Sequence, residues 1–280
     1  MRLRATKTLN GAGLFYSTYV KDYLDRVTAA DATAGNRLGL ERGTTQAINA
    51  AIESLVAVGF LGVSSGIISQ DASAIKSKCF LCGARTLTGA LVPVVGAAPT
   101  NFNFVANDYN SKTGLGDPTN VAKYLDSGRS NSADPQNNKH VAVNISTTPN
   151  NGTALIGSLI RSPAVSATQI FYSAGSYSMN VNAATSLSYA IGGSTGFVGV
   201  GRNSATSQQA RIGAATVSDS VSSNNNHTLN TLIFARNDAG TVNSYANSRI
   251  RIYSIGEFVD MAVLRSIHDQ FTASIAAAIP

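Results

Sequence analysis

Cys79 and Cys82 make the one C-x-x-C pair in the sequence. Such a pair serves zinc when a second pair stands elsewhere, or serves redox chemistry when the first thiol opens a helix that follows a strand. There is no second pair. The residues around the two cysteines predict a helix over 71–82, with Ile75, Cys79 and Cys82 on one side, so both are expected to be buried packing thiols, with disulfide or metal use as the alternatives. His140, His227 and His268 stand far apart with no acidic or cysteine companion at ligand spacing, and His268 falls at the edge of an apolar helical stripe, the place of a packed histidine. Asp117, Asp126 and Asp134, with their Asn neighbours, offer oxygens of the kind calcium takes, but the D-x-D-x-D-G loop is missing. They are expected to be turn carboxylates. No cofactor is expected, with calcium at these carboxylates as the alternative.

Gly196, Gly199 and Gly201 match the spacing of neither the dinucleotide nor the P-loop motif, and no helical pattern follows them. They read as a glycine-bearing strand. There is no G-x-S-x-G elbow, and no carboxylate pair stands out as general acid and base among the 15 acidic residues. The chain is expected not to be an enzyme.

The elements that position these residues follow from periodicity. Phe15, Tyr19 and Tyr23, with Tyr16, Val20, Leu24 and Val27 beside them, form a helical stripe ended by Ala34-Gly35-Asn36. Ile48, Ile52, Leu55 and Val56 form a second, stopped by Gly59. Pro93 interrupts the apolar run of 86–95, demoting it to an edge strand or ending it, and marks the join between two parts. Beyond it come short runs with Asn/Ser/Asp-rich gaps: 141–145, 154–160, 169–172, 186–191, 196–201, 232–235 and 249–255. Evenly spaced short strands with turn signals between them predict an antiparallel sandwich. From Asp260 the period changes, and Leu264, Ile267, Phe271 and Ile275 predict a closing helix. The expected fold class is α+β, mainly β, with an N-terminal helical region over 1–96 and a sandwich with C-terminal helix over 97–280.

A chain of 280 residues buries a sizeable core. Charged residues are 13% of it, against about 25% for an average domain, and Asn, Ser, Thr, Ala and Gly fill the difference, a composition that favours extracellular-type or particle-borne β proteins. The net charge of +6 is scattered, so no nucleic-acid partner is expected. No run approaches the roughly 20 apolar residues of a membrane span, no signal-peptide core leads the chain, and synthesis in a cytosol with no membrane partner is expected.

Residues 106–146, the strand GFVGVGRNS, LIFARNDAGT and, most specifically, SRIRIYSIGE resemble a group of phage virion proteins whose C-terminal part is similar to concanavalin A-like (laminin G-like) jelly rolls. The resemblance runs from about Tyr19 onward. It implies two antiparallel sheets with a concave face, a virion location and other virion proteins as partners. No binding motif transfers with it, and fold alone does not give function.

Two roles follow. The expected one is a non-enzymatic structural virion protein, head decoration or tail component, with the jelly roll outward and the helical part as attachment device. The other is a tail adhesin that binds a host surface glycan. A glycan-degrading enzyme is a third. Attachment, or assembly into a homo-oligomer, is assigned to Arg2, Arg4, Phe15, Tyr16, Tyr19 and Tyr23, a basic arm followed by an aromatic stripe, with burial of that stripe in the chain's own core as the competing reading.

Overall fold

The computed structural model describes residues 7–9, 15–119, 122–190 and 195–280. Arg2 and Arg4 lie outside them, and Phe15 is described by its backbone alone, in the short strand Phe15–Ser17. Four helices are described: α1 Thr18–Thr33, α2 Arg42–Ala57, the short α3 Leu87–Ala90 and α4 Met261–Ala278. Their buried residues are those at three- and four-residue spacing, Tyr19, Val20, Tyr23, Leu24 and Val27 on α1 and Leu264, Ile267, Phe271 and Ile275 on α4. Asp260 caps α4 by accepting from the Ala262 and Val263 amides, which a helix start otherwise leaves unpaired.

The strands form a sandwich of two large antiparallel sheets. In chain order they are β1 Ile75–Phe80, β2 Pro93–Val95, β3 Thr100–Phe102, β4 Tyr124–Ser130, β5 Lys139–Ile145, β6 Thr153–Ile160 and β7 Ser166–Ser173. There follow β8 Ser176–Ala183, β9 Leu187–Ala190, β10 Gly196–Arg202, β11 Gln208–Ile212, β12 Ala215–Asp219, β13 Asn230–Ile233 and β14 Ile250–Gly256. The first sheet runs β12-β11-β10-β5-β14-β1-β2 and the second β9-β8-β7-β6-β13-β4-β3.

Period-two alternation sorts the side chains. On β5, Val141, Val143 and Ile145 point between the sheets with Ile170, Met179, Val198 and Tyr253. Ala142 points the other way, into a second core shared with Phe80, Phe197, Ile252 and the apolar faces of α1, α2 and α4. Three layers result: helices, first sheet, second sheet.

The helix expected over 71–82 is a correction, because Ile75–Phe80 is strand β1, paired with β14 through Phe80↔Ile252 and Cys79↔Tyr253. A strand covered on both faces carries apolar residues on both, which removes the alternation that would have identified it. Since β1 and β2 lie in the first sheet beside β14, the boundary expected near residue 96 joins parts of one sheet. Pro93 opens β2 at the end of that sheet, where a missing N–H costs least.

The glycines of β10 have a packing reason. A Cβ on Gly199 would lie 3.0 Å from the Met261 sulfur, and one on Gly201 2.9 Å from the Phe258 ring. Bare backbone there lets the start of α4 close onto the sheet.

Candidate functional site

The strand assignment of Ile75–Phe80 decides the cysteine question. Cys79 points between the sheets and Cys82 into the helical layer, so the two thiols lie in different cores and both are free. Cys79 Sγ lies 3.3 Å from Tyr253 Oη, and burial pushes both thiols up to about 12. Cys79→Ala with Cys82→Ala is expected to cost about 1–3 kcal/mol in urea unfolding, with no change under reducing conditions. A dependence of folding on oxidant would overturn the packing role.

The three aspartates do not converge. Asp117 contacts the Lys123 ammonium, which also lies 2.8 Å from both carboxylate oxygens of Asp108, so a lysine stands where calcium would have to sit. Asp134 pairs with Arg129 at 2.6 Å, and Asp126 accepts from the Gly128 amide at 2.8 Å. Among the described residues no three His, Cys, Asp or Glu side chains come together as a metal site. His227 lies in the loop before β13, His140 on β5, and His268 is packed on α4 as its stripe predicted.

The aromatic stripe is covered by its own chain. Tyr16, Tyr19 and Tyr23 are buried, Tyr19 Oη donates to Glu53 Oε2 at 2.5 Å, and Tyr23 meets Phe80 edge-on at 6.0 Å. These three rings fill the helix–sheet core, the competing reading given for the stripe.

The second sheet turns its other face away from the inter-sheet core, and this open face gathers side chains that are distant in sequence, with Phe102 and Arg161 exposed at its margins and Leu232, Gln169 and Asn180 buried at its centre. Its register sets Thr100, Asp126, Leu232, Gly157, Gln169 and Asn180 in one row across the strands, and Phe171, Ser178 and Ser188 in a neighbouring row. Cross-strand neighbours on one face stand about 4.5–5.5 Å apart, so the main row spans several strands without a gap. Gly157 is required here, because a Cβ would lie 2.6 Å from Gln169 Cβ.

Two groups dominate the face. At the β3 edge Phe102 stacks on Tyr124 with centroids 4.4 Å apart and planes within 7°, and Tyr245 stands 6.3 Å beyond. Asn230 donates to Asp126 beside them at 3.2 Å. Over β7 the Arg236 guanidinium lies 5.4 Å from the Phe171 ring centroid. Asp238 is gripped by both ends of Arg161, at 2.9 and 2.6 Å, by Arg236 at 3.1 Å and by Asn243 at 3.1 Å. The Arg161 hydrogen bond, first among several, holds the Asp238 carboxyl below its ordinary value. Arg161 itself is exposed, so its guanidinium can exchange carboxylate for ligand.

Ring faces offer an apolar surface to C–H groups, while forked guanidinium, carboxylate and amide groups pair with adjacent hydroxyls, and the two together suit a carbohydrate. Of these residues the sequence singled out only Asp126, and for calcium. The rest carry no local motif, since register alone brings Phe102, Tyr124, Phe171 and Arg236 onto one face.

No known protein family matches the sequence, and no curated protein matches it. Solved structures do. A mutant of Trypanosoma rangeli sialidase displaying trans-sialidase activity is similar at 10% identity, over 82% of this chain and 39% of that one, with TM-score 0.45. A mutant of HCR/D matches at 12% identity over 70% of this chain and 52% of that one, TM-score 0.44. A mutant of NanB sialidase from Streptococcus pneumoniae matches at 16% identity over 47% and 24%, TM-score 0.37. The chain thus spans 24 to 52% of the length of these three. The likeness is one of fold and brings no activity with it. The expectation that the chain is not an enzyme is nevertheless corrected, because sialidases stand among the structures that match. Missing sequence motifs are no ground for that exclusion.

Proposed function

We propose that the chain is a glycan-binding protein displayed on a phage virion, with the open face of the second sheet as its binding surface and the helical layer on the opposite side. The observation that carries the glycan reading is the joining, on the outer face of the second sheet, of the Phe102–Tyr124–Tyr245 ring group with the Arg161–Asp238–Arg236 node. The placement on a virion is supported by the resemblance of SRIRIYSIGE and the segments before it to phage virion proteins. The half-buried Tyr124, Tyr245, Asp126 and Asn243 on that face, with Phe102 and Arg161 exposed beside them, favour the adhesin over a purely structural part, whose corresponding face neighbouring copies would cover.

The test is a glycan array probed with the full chain, followed by titration of the best ligand against Tyr124→Ala and Arg161→Ala. Tyr124→Ala is expected to weaken binding at least about tenfold, the scale of one lost ring contact. Arg161→Ala, at an exposed side chain, is expected to weaken it without altering unfolding. An array with no retained glycan, or two variants that bind like the parent, would refute the reading, and labelling intact particles with an antibody to the chain tests the location.

A further inference from the structure

Between α4 and the first sheet lies a cluster of basic side chains with no part in the open face. Lys78 of β1 and His268 of α4 meet with Nζ and Nε2 2.6 Å apart, and both are buried, at 0 and 1% exposure. Phe80 and Phe197 wall them in, the Lys78 nitrogen 5.5 Å from the first ring centroid and the His268 ring 5.3 Å from the second. On β5, His140 is equally buried, with Nδ1 2.5 Å from the Glu257 carbonyl oxygen and Nε2 2.7 Å from Ser254 Oγ. A carbonyl only accepts, so Nδ1 carries the hydrogen and Nε2 accepts from the Ser254 hydroxyl. That arrangement satisfies the neutral imidazole fully.

The charged groups on the surrounding elements are engaged elsewhere. Lys76 of β1 pairs with the Glu257 carboxylate at 3.1 Å, Arg265 and Asp269 of α4 pair with each other at 2.8 Å, and Arg251 of β14 donates to Asn144 at 2.9 Å. Asp134, before β5, is bound to Arg129 at 2.6 Å. On α1, Arg26 pairs with Asp22 at 3.0 Å and Tyr23 is neutral, while on α2 Glu53 accepts from Tyr19 at 2.5 Å. Cys79, next to Lys78, faces the other core as a thiol. Among the described residues no carboxylate hydrogen-bonds to Lys78, His140 or His268, so a proton gained in this cluster is an uncompensated buried charge.

We propose that the Lys78–His268–His140 cluster is an acid-sensitive latch for α4, closed while its amine and imidazoles are uncharged and opened by their protonation, releasing the helix while the two sheets stay paired. Local release follows from the layering: α4 contributes nothing to the inter-sheet core and supplies no strand. Burial lowers Lys78 to about 7 and His140 to about 4, and holds His268 well below its ordinary value. For a base lowered in the docked state the sign is fixed. The undocked state binds the extra protons, so docking is strongest at high pH and weakens as pH falls, through 10.5 to 7 for Lys78 and through 6.5 to 4 for His140. Each imidazole then shifts the docking equilibrium by about tenfold per pH unit below its ordinary value.

Hydrogen exchange of the full chain, corrected for intrinsic rates, tests this at pH 7.5 and pH 5. Amides of α4 are expected to lose at least about a hundredfold in protection while β6 and β7 keep theirs. The double variant Lys78→Met with His268→Leu is expected to flatten that response. Should it fail to fold, His268→Gln, neutral at both pH values, is expected to reduce the pH dependence by itself. Simultaneous loss of protection in α4, β6 and β7, or an unaltered pH response in the variant that folds, would overturn the latch.

Discussion

Replacing Arg202 with methionine is expected to lower the free energy of unfolding by about 3–5 kcal/mol, among the largest effects of any single change in this chain. The side chain is fully buried at the end of β10, with no carboxylate partner among the described residues. Its Nε donates to the Val181 carbonyl at 2.9 Å, and one terminal nitrogen serves the carbonyls of Ser204, Ala205 and Val221 at 3.0, 3.1 and 3.0 Å. One guanidinium thus ties β8, the turn after β10 and the 220s segment into one corner. Two effects oppose each other. Methionine removes the cost of a desolvated charge, seen in the lowered pKa of Arg202, but leaves up to four carbonyls without that donor, each worth about 1–3 kcal/mol if it stays dry. Without an ion pair to relieve, the orphaned carbonyls win. Lysine, a single point donor, is expected to recover less than half of the loss, because it cannot reproduce a fork. Urea unfolding monitored by far-UV dichroism measures both, and a loss under about 1 kcal/mol for the methionine variant would refute the assignment.

How far the sequence disclosed this fold depended on where each element's neighbours stand. α1, α2 and α4 lay open in the stripes of Tyr19–Tyr23, Ile48–Ile52–Leu55 and Leu264–Ile267–Phe271, because a helix on a sheet writes its burial into its own period. The strands around Val141, Ile170, Val198 and Ile252 were legible from apolar runs and turn residues. β4 and β8 were not: Tyr177, Met179 and Val181 do alternate, but Ser, Asn and Gly intervene, and the outward Asn180 finds its partners in Gln169 and Ser186 across strands. Ile75–Phe80 misled for the opposite reason, being buried on both sides. The open face could not be read at all. Asp238 and Arg161 are 77 residues apart, and nothing local in either marks the 2.6 Å contact between them. Lys78 and His268, 190 apart, are a sharper case, since a lysine in an apolar run reads as a surface residue until the sheet closes over it.

The second large effect is expected at the end of α1, where Asp31→Ala should cost about 3–5 kcal/mol. Asp31 is buried and accepts three hydrogen bonds from a segment more than fifty residues on: the Arg85 amide at 3.0 Å, the Thr86 amide at 2.8 Å and the Thr86 hydroxyl at 2.7 Å. Thr86 in turn caps α3 by accepting from the Gly89 amide at 3.1 Å. Alanine leaves two half-buried backbone donors without that acceptor and frees the turn that leads from β1 to β2. Asparagine keeps one acceptor oxygen and points an NH2 at the other donor, so it should fall between the parent and alanine. A second substitution makes the account specific. A Cβ on Gly89 would lie 2.2 Å from Asp31 Oδ1, so Gly89→Ala alone is expected to be severely destabilising. With Asp31 already shortened the nearest obstacle is the Ala84 Cβ at 3.1 Å, a distance that small shifts can absorb. The two changes should therefore be less damaging together than their sum, with a coupling of about 1–3 kcal/mol in a double-mutant cycle read by urea unfolding. Strict additivity would mean that carboxylate and glycine do not meet as described, and that α1 is joined to the β1–β2 connection by something other than Asp31.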